Sequence, residues 1–132
     1  MPAQKPKVLI ADDNAQIVEL LEAYLDPLDV ATVAARDGEE ALAAVERERP
    51  NLILLDLMMP RRSGYEVCRR LKTDERYRDI PIIVVTALNE VGDIERAREC
   101  GADDYLNKPV NRLQLLERVQ ELLRAAGHAP AP

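Results

Sequence analysis

The sequence has no tryptophan and no phenylalanine, and its aromatic residues are four tyrosines. Any core it builds must therefore be aliphatic. Histidine occurs once, as His128, so no histidine cluster can ligate a metal or relay protons. Cys68 and Cys100 fall in separate helical patterns without CxxC spacing, which argues against a metal or redox role. In a reducing compartment they are small, partly buried hydrophobes. Lysine and arginine form no basic stripe and the net charge is −6, which argues against direct contact with nucleic acid. No apolar run approaches the roughly 20 residues needed to cross a bilayer. Residues 1–7 lack the apolar centre of an export signal. These absences predict a chain that works in the cytoplasm and away from membranes.

What remains is one domain of ordinary size. Its 132 residues are 47% hydrophobic and 32% charged, enough for a sizeable core. The organising stretch is Leu52-Ile53-Leu54-Leu55-Asp56. An apolar run this short and continuous, between Pro50-Asn51 and Met59-Pro60, reads as a strand buried on both faces. Asp56 stands at its carboxyl end, the edge where open α/β sheets bind ligands.

Taken in order, Lys7–Ala11 reads as a strand that runs into Asp12-Asp13-Asn14. Ala15–Leu25 reads as a helix with Ile17, Leu20, Leu21, Tyr24 and Leu25 on one face, capped by Asn14 or Asp13. Val30–Ala34 is a weaker edge strand, and Glu39–Arg47 is a helix stopped by Pro50. After the Asp56 strand come a helix over Tyr65–Lys72 and a second buried strand, Ile82–Val85, ending in Thr86. A helix over Glu90–Cys100 has a thin apolar stripe of Val91, Ile94 and Ala97, with Gly101 as its cap. Asp103–Asn107 is a short strand ending in Lys108-Pro109. Leu113–Leu123 is the last helix, with Leu113, Leu116, Val119, Leu122 and Leu123 apolar. The domain spans residues 1–126, and 127–132 form a disordered Ala/Pro tail that leaves His128 solvated. Five strands alternating with five helices predict a parallel sheet covered on both faces. The first, third and fourth strands are the most apolar and belong at its centre.

Four strand ends carry polar groups: Asp12-Asp13, Asp56, Thr86 and Lys108. In a parallel sheet these ends share one edge, with neighbouring strands about 4.8 Å apart. Three crowded carboxylates repel unless a cation joins them, and Mg²⁺ suits an oxygen-only site. Asp56 is the candidate nucleophile, because a carboxylate can form an acyl phosphate and is already ionised at neutral pH. Lys108 and the metal balance charge on the transferring oxygens, and Thr86 offers a hydroxyl to one of them.

With Met59-Pro60, Gly64, Thr86-Ala87 and the run from Gly101 to Pro109, these residues resemble the receiver domain of bacterial two-component response regulators. The match covers Lys7 to about Arg124 and is similar to the chemotaxis members of that family. The resemblance implies a flavodoxin-like (βα)5 sandwich of strand order 2-1-3-4-5. It implies that Asp56 accepts phosphate from a histidine kinase or phosphotransfer protein. Asp13, Asp56 and the Met58 carbonyl hold Mg²⁺ directly, with Asp12 acting through water. Thr86 and Tyr105 act as switch residues, and the Lys108–Pro109 bond is cis. The output surface is then the Glu90–Cys100 helix with the last strand and last helix. It signals to a downstream protein effector or, through Glu95, Arg96, Asp104 and Arg118, to a second copy in a phosphorylation-dependent homodimer. Two positions depart from the commonest pattern, Val110 after Lys-Pro and the basic pair Arg61-Arg62. An aspartyl-phosphate phosphatase is the competing enzyme reading. It needs a second acid two residues beyond the nucleophile, and Met58 stands there. The chain is therefore expected to catalyse only its own phosphorylation and dephosphorylation.

Overall fold

The structure is a computed structural model that describes residues 5–88 and 90–128. The strands are β1 (Lys7–Ala11), β2 (Ala31–Ala35), β3 (Leu52–Leu55), β4 (Ile82–Thr86) and β5 (Asp104–Asn107). The helices are α1 (Ala15–Leu25), α2 (Gly38–Glu48), α3 (Gly64–Lys72), α4 (Val91–Glu99) and α5 (Arg112–Ala125). All strand pairs are parallel and the order is β2-β1-β3-β4-β5, as predicted.

Side chains alternate across a strand, so a strand covered on both faces must be apolar at every position. Leu9, Ala11, Ile53, Leu55, Ile82 and Val84 face one core, which α2, α3 and α4 close. Val8, Ile10, Leu52, Leu54, Ile83 and Val85 face the other, closed by α1 and α5. The edge strands β2 and β5 are only partly buried. That difference is why the three central strands are the most apolar.

Several details depart from the sequence reading. Strand β2 lies one residue later, because β1 pairs from Lys7 with Ala31 to Ala11 with Ala35. Asn14 rather than Asp13 caps α1, accepting from the amides of Gln16 and Ile17. Glu90 and Cys100 are the caps of α4 and lie outside its helical residues, and α5 runs two residues further than predicted. Leu20, Val91 and Leu113, placed on the apolar faces of their helices, are 40%, 72% and 65% exposed. Both cysteines are fully buried, not partly. Gly127 (φ 82°) and His128 finish α5, the His128 amide donating to the Leu123 carbonyl at 2.7 Å. The His128 side chain is exposed, and positions 129–132 of the predicted tail lie outside the described residues. Among the described residues no helix is long and apolar enough to cross a membrane.

Candidate functional site

Hydrogen bonding carries the ladder one step past the strand ends, and this positions the site. The Asp12 amide donates to the Ala35 carbonyl at 3.0 Å, the Asp56 amide to Ala11 at 2.9 Å, and the Lys108 amide to Thr86 at 2.9 Å. Asp12, Asp56 and Lys108 are thereby held along one sheet edge. Asp12 and Asp56 are 2% and 5% exposed, and Asp13 is exposed beside them. One carboxylate oxygen from each of the three lies within 4.8 Å of the others.

The Lys108 ammonium bridges the two buried acids, 2.7 Å from Asp12 Oδ2 and 3.2 Å from Asp56 Oδ2. Asp12 Oδ1 accepts from the Asn14 amide at 2.9 Å, and Asp56 Oδ1 from the Met58 amide at 3.3 Å. Asp13 has no hydrogen-bond partner among the described residues. Three carboxylates against one ammonium leave an excess of negative charge in a confined space. An oxygen-only donor set of this kind fits a hard divalent cation that keeps part of its water shell.

Burial alone would lower the pKa of Lys108. The hydrogen bond to Asp12 and the nearby charge of Asp56 outweigh it and hold the ammonium above its ordinary value of 10.5. A group raised in the folded state contributes stability that is fully present below the unfolded pKa. That contribution is lost as pH rises through the folded pKa. The stability difference between wild type and Lys108→Met should therefore stay constant from neutral pH to about 10 and shrink above 10.5. Denaturant melts at a series of pH values check this, and a difference that grows in alkali would contradict it.

The switch candidates sit on the side of β4 and β5. Thr86 is fully buried, and its Oγ1 accepts from the Leu88 amide at 3.4 Å instead of reaching Asp56. The Tyr105 hydroxyl is buried and has no hydrogen-bond partner among the described residues. Burial first, and then the negative charge of Asp93, push its pKa up. The Lys108–Pro109 peptide is cis.

Of the residues proposed to pair across a dimer, two are already joined within the chain: Arg118 Nη1 lies 2.5 Å from Asp104 Oδ2. Arg96 lies over the Tyr65 ring, 4.0 Å from its centre. The unusual pair Arg61-Arg62 ties the β3–α3 loop to α2. Arg61 meets Asp37 at 3.7 Å, and Arg62 pairs with Glu39 and, at 2.8 Å, with Glu66. Sequence reasoning missed the part Asn14 plays in orienting Asp12 through its amide. It also missed the Tyr65 phenol, which donates to Asp93 Oδ1 at 3.4 Å on the first turn of α4. No local pattern signals either contact.

An acidic pocket with a bridging lysine, at the carboxyl edge of a 2-1-3-4-5 sheet, is the arrangement of a phospho-accepting signalling module. The family model described as response regulator receiver domain matches residues 8–120, and the chain belongs to that family. It is 44% identical over 126 residues to the "Probable transcriptional regulator ycf27" of Porphyridium aerugineum, covering 96% of this chain and 51% of that protein. It is 40% identical to the "DNA-binding dual master transcriptional regulator RpaA" of Synechocystis, covering 95% and 52%. The chain thus spans about half the length of these curated relatives. Among solved structures, the CheY-like response regulator receiver domain protein of Methanospirillum hungatei superposes with a TM-score of 0.87 at 28% identity. That match covers 94% of this chain and 98% of the other. As a receiver domain, the chain is a phospho-accepting switch of two-component signalling.

Proposed function

We propose that Asp56 is the sole phosphoryl acceptor, with Mg²⁺ held by Asp13, Asp56 and the Met58 carbonyl and with Asp12 acting through water. The observation that carries this reading is the Lys108 ammonium bridging Asp12 and Asp56 inside a cluster of three acids. An Asp56 carboxylate oxygen attacks phosphorus as the bond to the donor histidine of a kinase or phosphotransfer protein breaks. The imidazole leaves, and Asp56 carries an acyl phosphate. Mg²⁺, when bound, supplies charge neutralisation to the transferring oxygens. Lys108 supplies a second cation at the same oxygens, and Thr86 moves its hydroxyl toward them. Tyr105, already inward, then packs behind Thr86, and the α4–β5–α5 surface changes.

On this reading the domain acts in the cytoplasm and catalyses only its own phosphorylation and dephosphorylation. It touches no nucleic acid itself. It signals to a downstream protein effector or to a second copy, which would have to draw Arg118 and Asp104 out of their internal pair. Incubation with acetyl phosphate and Mg²⁺, followed by intact mass measurement, should show one phosphoryl group per chain and none in EDTA. Absence of any gain with Mg²⁺ would overturn the reading.

The lifetime of the acyl phosphate follows from Met58 and Leu88, two residues beyond Asp56 and Thr86. Met58 is 62% exposed, so it screens the site poorly; Leu88 is half-buried against the core. Neither side chain can hydrogen-bond an attacking water, and that loss alone should slow hydrolysis. Met58→Asn/Leu88→Glu should lose phosphate about tenfold faster, equivalent to about 1.4 kcal/mol of barrier. Equal rates of phosphate release would refute this.

A further inference from the structure

Helices α3 and α4 enclose a groove of about 470 Å³ lined by Ser63, Tyr65, Glu66, Arg69, Arg70 and Arg96. The chain as a whole carries a charge of −6, yet three arginines line this groove. None of Arg69, Arg70 and Arg96 is in a salt bridge among the described residues. The one carboxylate on the wall, Glu66, is engaged by Arg62 at 2.8 Å. Arg96 lies over the Tyr65 ring, which is itself buried, and its side chain has no hydrogen-bond acceptor among the described residues. Arg69 reaches only a weak acceptor, the Cys100 sulfur at 4.0 Å. Three like charges around one groove repel, and an anion bound between them relieves that repulsion.

We propose that this groove binds a small ligand carrying two linked phosphates. The guanidinium fork matches phosphate oxygens two at a time, which favours phosphate over a lone halide or a diffuse counter-ion. The volume lies in the range of small-ligand sites, about 300–1,000 Å³, and exceeds what a single phosphate fills. Arg69 and Arg70 belong to α3 and Arg96 to α4, so the bound anion joins the two helices. The groove shares no residue with the Asp12, Asp13 and Asp56 cluster.

The test is an NMR titration of the full chain with inorganic pyrophosphate in metal-free buffer, read from backbone amides. Saturable shifts centred on residues 64–70 and 91–97 are expected. Arg70→Gln/Arg96→Gln should weaken binding at least about tenfold, since each lost charge-assisted pair is worth a comparable factor. Retained amide dispersion in that variant shows it is folded. ADP in place of pyrophosphate tells a nucleotide source from a free one: tighter binding with shifts beyond the groove assigns a nucleotide, and equal binding assigns the diphosphate alone. Absence of saturation, unchanged affinity in the double variant, or equal binding of citrate or of an Asp/Glu-rich peptide would overturn the proposal.

Discussion

Asp56→Asn should incorporate no phosphoryl group under conditions where the wild type takes up one, and its stability should change little. The carboxylate is the nucleophile, and an amide of the same shape cannot form the acyl phosphate. The fold has little reason to suffer. Asparagine keeps one acceptor, which can serve the Met58 amide, now 3.3 Å from Asp56 Oδ1, while its NH2 group replaces the Oδ2 that now lies 3.2 Å from the Lys108 ammonium, so that contact is lost. Removing one of three carboxylates within 4.8 Å reduces mutual repulsion, while Lys108 keeps the stronger 2.7 Å contact to Asp12. The two effects oppose, and the net change in metal-free buffer should be within about 1 kcal/mol. Intact mass and thermal melts on the same samples decide the matter. Labelling that survives the substitution would mean another acceptor. A loss beyond about 2 kcal/mol would mean that the Asp56 charge holds the edge together.

Gly64→Ala should destabilise the domain by roughly 3 kcal/mol or more and depress phosphoryl acceptance with it. Gly64 opens α3, and its amide donates to the Leu57 carbonyl at 3.0 Å, folding the loop tightly back on the residue after Asp56. A Cβ added there would overlap the Asp56 carbonyl oxygen and lie 2.7 Å from the Leu57 Cα. These obstacles are backbone atoms, which cannot rotate away as a flexible side chain does. The backbone that must yield is that of Asp56 itself, so the acceptor moves relative to Lys108 and Asp13. Gly92→Ala is the matched control. A Cβ on Gly92, in α4, meets nothing within 4 Å, and the change should stabilise by roughly 0.5–1 kcal/mol through helix propensity. Denaturant melts that place Gly64→Ala within 1 kcal/mol of wild type would show that the loop can shift freely.

Several features of this protein were determined by the sequence alone. Leu52–Leu55 and Ile82–Val85 are apolar at every position, because a parallel strand between two helical layers has no wet face. That pattern announces both the architecture and the central strands. The site was legible for the same reason: parallel strands end on a common edge, so Asp12, Asp56 and Lys108 had to converge once the strands were recognised.

Only the tertiary structure decided the rest. Helical spacing shows which residues share a face but not how wide the buried stripe is, so Leu20, Val91 and Leu113 fall on apolar faces and yet are exposed. Asn14 and Asp13 are equally good caps in one dimension, and in the fold it is the Asn14 side chain that meets the Gln16 and Ile17 amides. Arg118 with Asp104 and Arg96 with Tyr65 join residues from different elements. Such contacts depend on how helices lie on the sheet, which no periodicity within a single element encodes. The inward Tyr105 hydroxyl belongs with them, since a rotamer is chosen by the cavity around it and that cavity exists only after α4 has packed on β5.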